Sequence, residues 1–242
     1  MRQREGSVLI LALWSLFFLA ALALAVGSHV SAGIRLASHA RVNTTAYYLA
    51  RAGIERAVRE AIDNTTNWDG LVVGELGSDE TLFRDVDALP GGTFSVYYPY
   101  VATNTGEIAT NYGIVRELFK IDLNTPNAQE RERLRSLAGR DTADAILRGP
   151  EGVEKKGLAD RESEAYSYET LQELLLVSDV SYDLFLEIEP LVTVYGGSCY
   201  GGMAEGKATV DDGAGGRRTL AICRIVFVFD KDSREVRYWH EH

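Results

Sequence analysis

From Ser7 to Val26 the chain runs without a single charge, as SVLILALWSLFFLAALALAV, and no other feature limits its folding so severely. At about 1.5 Å per residue this run makes a helix of roughly 30 Å, the thickness of a bilayer's hydrocarbon core. It is greasy on every side, so it lacks the polar face that a surface helix of a water-soluble body needs. A secretory signal carries an apolar stretch of only about 7–15 residues before a small-residue cleavage site. Ala23 to Gly27 supplies such a site, but the run is too long for a signal and fits a membrane anchor. Arg2 and Arg4 precede it while Arg35 and Arg41 follow, so flanking charge does not set its orientation.

Beyond Val26 the chain has almost no helix breaker until Asn64-Thr65-Thr66. Ala50, Gly53, Ile54, Ala57, Val58, Ala61 and Ile62 recur at helical spacing, with Arg51, Glu55, Arg56 and Arg59 on the opposite face. The pattern predicts one helix over 7–64, about 85 Å long. Residues 7–26 form its membrane half and 27–64 an amphipathic stalk. Only six residues, Met1 to Gly6, precede it.

The remainder reads as a mixed body. Net charge is −10, from 25 Lys+Arg against 35 Asp+Glu, a balance that disfavours general affinity for nucleic acid. After Asn67-Trp68-Asp69-Gly70 and Pro90-Gly91-Gly92, strands are predicted over 93–98 and 114–118. The period then turns helical over 128–137, 141–147, 168–176 and 182–188, around a charged loop from Gly149 to Ser163. Strands return over 191–195, 220–229 and 235–239, the last two joined as a hairpin through Asp230-Lys231-Asp232-Ser233. Gly196 to Gly216 is glycine-rich and reads as a long loop. Tyr47-Tyr48 and Tyr97-Tyr98 read as packing residues between helix and sheet. Cys199 and Cys223 make a single disulfide feasible if the body lies in an oxidising compartment, and two free thiols are the alternative. Enzyme signatures such as Gly-x-Ser-x-Gly or His-Glu-x-x-His are absent, so no catalytic residue is assigned. Asp211-Asp212 beside glycines can hold Ca²⁺ or simply be solvated. His240-Glu241-His242 can hold a metal weakly, or be a solvated tail.

The short leader ending in Gly6, the apolar helix from Ser7, and the Ala46-Tyr47-Tyr48…Ala50-Arg51-Ala52-Gly53-Ile54-Glu55 stretch resemble type IV prepilins and pseudopilins. The resemblance implies cleavage of Gly6–Ser7 by a membrane prepilin peptidase, then methylation of the new N-terminus. Glu5 stands where a basic residue is usual. At the fifth mature position, where most of the family carries glutamate, this chain has Leu11. A carboxylate in hydrocarbon is costly unless paired, and in these assemblies its partner is the neighbouring subunit's terminal amine. A subunit lacking it suits the filament tip.

A second resemblance covers the body. Asp122-Leu123-Asn124-Thr125, then Leu134…Leu137-Ala138-Gly139…Ala143-Asp144-Ala145-Ile146-Leu147, then Tyr168-Glu169…Leu174-Leu175-Leu176-Val177, then Pro190-Leu191-Val192-Thr193-Val194-Tyr195-Gly196 are similar, in order, to K-class minor pseudopilins of type II secretion systems (GspK-like). The expected fold is α+β. A long N-terminal transmembrane and stalk α-helix carries a pilin-like antiparallel β region, 65–126 and 191–242, interrupted by an all-α insertion at 127–190. The expected role is a tip subunit of the pseudopilus, anchored once in the inner membrane with its head in the periplasm. Its partners would be other minor and major pseudopilins and the prepilin peptidase. No cofactor is required, although members of the class can bind calcium. A different reading takes 134–147 and 174–186 as helix-hairpin-helix units of a DNA-binding competence pilin; Asp141 and Asp179 in those hairpins would repel phosphate.

Overall fold

In a computed structural model of the chain, residues 5–63, 79–89, 91–101, 108–150, 166–196, 198–212 and 216–242 are described. They fall into two compact units, Met1–Thr44 and Thr45–His242. The uncharged run is helical, as its composition requires: α1 spans Glu5–Asp63. In the first unit, large apolar side chains from Ile10 to Leu36 are exposed, Leu11 by 70% and Phe18 by 69%. With a mean hydropathy of 2.4 in its most apolar window, α1 is long and apolar enough to cross a membrane. An apolar surface left open on all sides suits lipid.

The second unit begins where α1 becomes two-faced. Ala46, Leu49, Ala50, Ile54, Ala57 and Ala61 are buried, none more than 3% exposed. On the outer side Arg51–Glu55 and Arg56–Glu60 pair at i,i+4, each worth a few tenths of a kcal/mol. A short α2 (Glu80–Phe83), capped by the Asp79 carboxylate, leads into a seven-stranded antiparallel sheet. Its strands are β1 (Val86–Leu89), β2 (Gly92–Val101), β3 (Ile108–Tyr112), β4 (Val115–Arg116), β7 (Cys199–Asp211), β8 (Arg217–Asp230) and β9 (Glu235–Glu241). The order is β1-β2-β7-β8-β9, with β3 also on β2 and β4 also on β7.

The sheet is covered on both faces, which explains why Ile225-Val226-Phe227-Val228-Phe229 is apolar without alternation and buried throughout. Register places Phe94, Val96, Ala204, Gly206, Cys223, Ile225, Phe227 and Trp239 on one face, against α1. There Gly53 meets Phe94 and Val96, and the Ala46 carbonyl and Ala50 amide lie where a Cβ on Gly206 would sit. The other face offers Met203, Val226, Val228 and Tyr238 to a core shared with Leu134, Ile146, Leu171, Leu174 and Phe185.

Those last residues belong to the interrupting segment, helical among its described residues. It contains α3 (Ala128–Ala138), α4 (Arg140–Arg148), a 3-10 turn at Leu171–Leu176, α5 (Tyr182–Ile188) and a 3-10 turn at Glu189–Leu191. Asn127 and Glu130 cap α3 reciprocally, each side chain accepting the other's backbone N–H at 2.9 Å. The ends of the segment meet in a parallel pair, β5 (Ile121–Asp122) with β6 (Val192–Thr193), so it is closed at its neck.

Several expectations are corrected. The supposed loop over 196–216 is mainly β7, a thirteen-residue inner strand; its Gly206 admits close approach of the α1 backbone. The strand expected over 114–118 shrinks to β4, followed by a 3-10 turn at Glu117–Phe119. That turn buries the Glu117 carboxylate beside Lys120 Nζ, 2.7 Å away. The strand expected over 191–195 is only β6, because Pro190 sits in a 3-10 turn that still includes Leu191. The helix over 168–176 is a 3-10 turn from Leu171. The C-terminal hairpin holds, lengthened by β7 into three strands. The 67–70 stretch, Pro90 and residues 151–163 of the charged loop lie outside the described residues.

Candidate functional site

The residues singled out in the sequence scatter over the fold. Gly6 and Ser7 lie in the first turns of α1, and Leu11 is on its exposed surface. Asp122, Leu123, Asn124 and Thr125 form the neck. Asp122 accepts from the backbone of Asn124 and Thr125 and from the Thr125 hydroxyl, an Asx turn. Asn124 then bonds reciprocally to the Tyr168 backbone, receiving its N–H at 2.7 Å and donating to its carbonyl at 2.9 Å. Leu123 and Leu174 are buried, Leu175 is 39% exposed, and Val194 and Tyr195 flank the same core. Among the described residues the buried Tyr195 hydroxyl has no hydrogen-bond partner, and burial, with the Glu117 charge adding to it, pushes its pKa up to about 12. Gly196 follows in the link to β7.

The disulfide is corrected. Cys199 and Cys223 are both free and buried, Cys199 opposite Asp230 and Cys223 opposite Gly206. Seven ladder positions separate them, roughly 23 Å, against less than about 7 Å between Cα atoms for a bridge. Burial, followed by the Glu241 charge, pushes the Cys223 thiol up to about 11, so it stays protonated and inert at neutral pH. Asp211 is solvated, its side chain 90% exposed, and Asp212 accepts the Gly216 N–H. No calcium cage gathers around them among the described residues. Across α3 and α4, Arg131, Arg135 and Arg148 share a concavity with Asp141, Asp144 and Asp179. Arg135 is tied to Asp144 at 2.9 Å, which leaves a mixed rather than cationic face where DNA contact needs a surplus of Lys and Arg.

The solvated tail is also corrected, and its replacement is the most chemically pointed place in the protein. Tyr238 and His240 point to one face of β9, as alternate residues of a strand must, and that face is the insertion side; His242, just past the strand's end and paired with the Arg224 backbone, continues the alternation. There they meet Glu189, the first residue of the 3-10 turn after α5, whose side chain is wholly buried. His240 Nδ1 lies 2.8 Å from Glu189 Oε1, and His242 Nε2 lies 3.1 Å from Oε2. The Tyr238 hydroxyl also donates to Oε1; burial and the Glu189 charge hold its pKa far above the usual phenol range. The His242 contact is close but not aligned as a hydrogen bond, so among the described residues Oε2 has no proper donor. Burial lowers the His242 pKa, with Glu189 opposing. The imidazoles stack edge to face at 4.4 Å. Glu189 was missed in the sequence because 51 residues separate it from His240; the visible signal was His-x-His at strand spacing. No family model, curated protein or solved structure matches this chain.

Proposed function

We propose that the chain is a minor pseudopilin that caps the tip of a type II secretion pseudopilus, anchored in the inner membrane with its body in the periplasm. The observation that carries the reading is α1. It is uncharged from Ser7 to Val26, apolar all round through its first part, and two-faced from Thr45, where its apolar stripe packs on an antiparallel sheet. The helical segment inserted between β5 and β6 supports the K-class assignment. Leu11, exposed on the helix, supports the tip position: a subunit without a carboxylate there cannot pair with the terminal amine of a subunit added before it. The mechanism is structural. The helix holds the precursor in the bilayer, cleavage after Gly6 frees it to join sister helices, and the body presents its sides to partner subunits. As the rod is extended from below, the capped end pushes folded substrates outward.

The test is maturation and position. Substituting Gly6→Trp leaves an unprocessed precursor, read as an unchanged N-terminal mass against a wild type shortened by six residues. Leu11→Glu lets the subunit enter the shaft, read by crosslinking along sheared filaments. Wild-type protein cut beyond Val26, or absent from any complex with other pilin-like subunits, overturns the proposal.

A further inference from the structure

We propose that Glu189, His240 and His242 form a binding site for one divalent transition-metal ion of the zinc type, clamping the inserted helical segment to the last strand. The proposal does not depend on the pseudopilin reading. Its first support is distance. One donor atom from each residue lies within 4.8 Å of the other two, and the two carboxylate–imidazole separations are 2.8 and 3.1 Å. Two ligands on a tetrahedral Zn²⁺, with bonds of about 2.0–2.1 Å, stand about 3.3 Å apart. Small rotations therefore bring all three onto a single ion.

Charge is the second support. Glu189 is wholly buried, and among the described residues its ion-pair contacts are to these histidines and to no lysine or arginine. Arg224, on the same sheet face, gives its Nε to Glu205 at 2.6 Å. A buried carboxylate with one oxygen lacking an aligned donor is expensive, and a divalent cation between it and two neutral imidazoles removes that cost. Tyr238 donates to Oε1 as an outer partner that orients a metal-binding carboxylate. Two nitrogen donors with one oxygen select zinc over calcium or magnesium, which take oxygen ligands. On binding, His240 and His242 keep their ring protons on Nε2 and Nδ1 respectively, and any second proton leaves to solvent.

The experiment uses the full chain in detergent, purified without a polyhistidine tag, stripped with chelator, incubated with Zn²⁺ and desalted. Wild type is expected to retain about one zinc per chain by elemental analysis and to melt at a higher Tm than the stripped protein. His240→Ala and His242→Ala should bind at least about tenfold more weakly and lose that rise, and Tyr238→Phe should weaken binding by about tenfold. Co²⁺ provides a readout on the unmutated chain: the intense visible absorption of a four-coordinate ion is expected. A large excess of Ca²⁺ should leave bound zinc in place. No retained zinc in wild type, equal zinc in the His240→Ala/His242→Ala double variant, a weak six-coordinate cobalt spectrum, or displacement by calcium each overturns the proposal.

Discussion

Gly206 sits in β7 with the Ala46 carbonyl and the Ala50 amide of α1 where its side chain would be. The obstructing atoms are backbone, held by helical hydrogen bonds, and cannot rotate away as a side-chain end does. Gly206→Ala is therefore expected to lower stability by about 1–3 kcal/mol, the usual cost of overpacking, read as a shift of the urea midpoint with an unchanged slope. Gly201 plays a related part: a Cβ there would meet the Glu117 carboxylate, which its absence lets sit wholly buried beside Lys120. Gly206 shows why a glycine-rich stretch reads as a loop. Glycine marks turns, but it also marks a strand approached closely by another backbone, and only the approaching partner tells the two apart.

At the scale of elements, the neck joins the inserted helices to the sheet by directional bonds as well as by apolar contact. Asn124 ties β5 to the Tyr168 backbone through two hydrogen bonds, and Leu123 N–H donates to Thr193 across the parallel pair. Asn124→Ala leaves the Tyr168 N–H and carbonyl without those partners, a loss of about 1–3 kcal/mol. Amide exchange over 166–176 should quicken in that variant while β8 keeps its protection. Unchanged exchange would mean that packing alone holds the neck. Helices with their own signals were legible beforehand: 128–137 and 182–188 match α3 and α5 closely, since Asn127 and Ser181 cap them and their apolar spacing is regular. The short strands β4 and β6 were overestimated, because an apolar run of five residues does not reveal where a 3-10 turn replaces extended backbone.

For the molecule as a whole, the second unit has its own core, in which the Thr45–Asp63 part of α1 is an integral layer. A chain beginning at Thr45 is expected to be soluble and monodisperse without detergent. One beginning at Asn64 lays bare Phe94, Val96, Ile225 and Phe227 and should aggregate or bind hydrophobic dye. Size-exclusion chromatography and near-ultraviolet circular dichroism distinguish the two, and equal behaviour would remove α1 from the core. The sequence alone determined the membrane-length helix, its change from all-round apolar to two-faced, the helical character of the insertion and the final hairpin. Each of these is written in local composition and periodicity, which neighbouring residues share. Tertiary structure alone decided that β7 is an inner strand, that the cysteines stand apart, and that Glu189 meets His240 and His242. Those outcomes depend on register and on contacts between residues tens of positions apart, for which a one-dimensional pattern holds no distance.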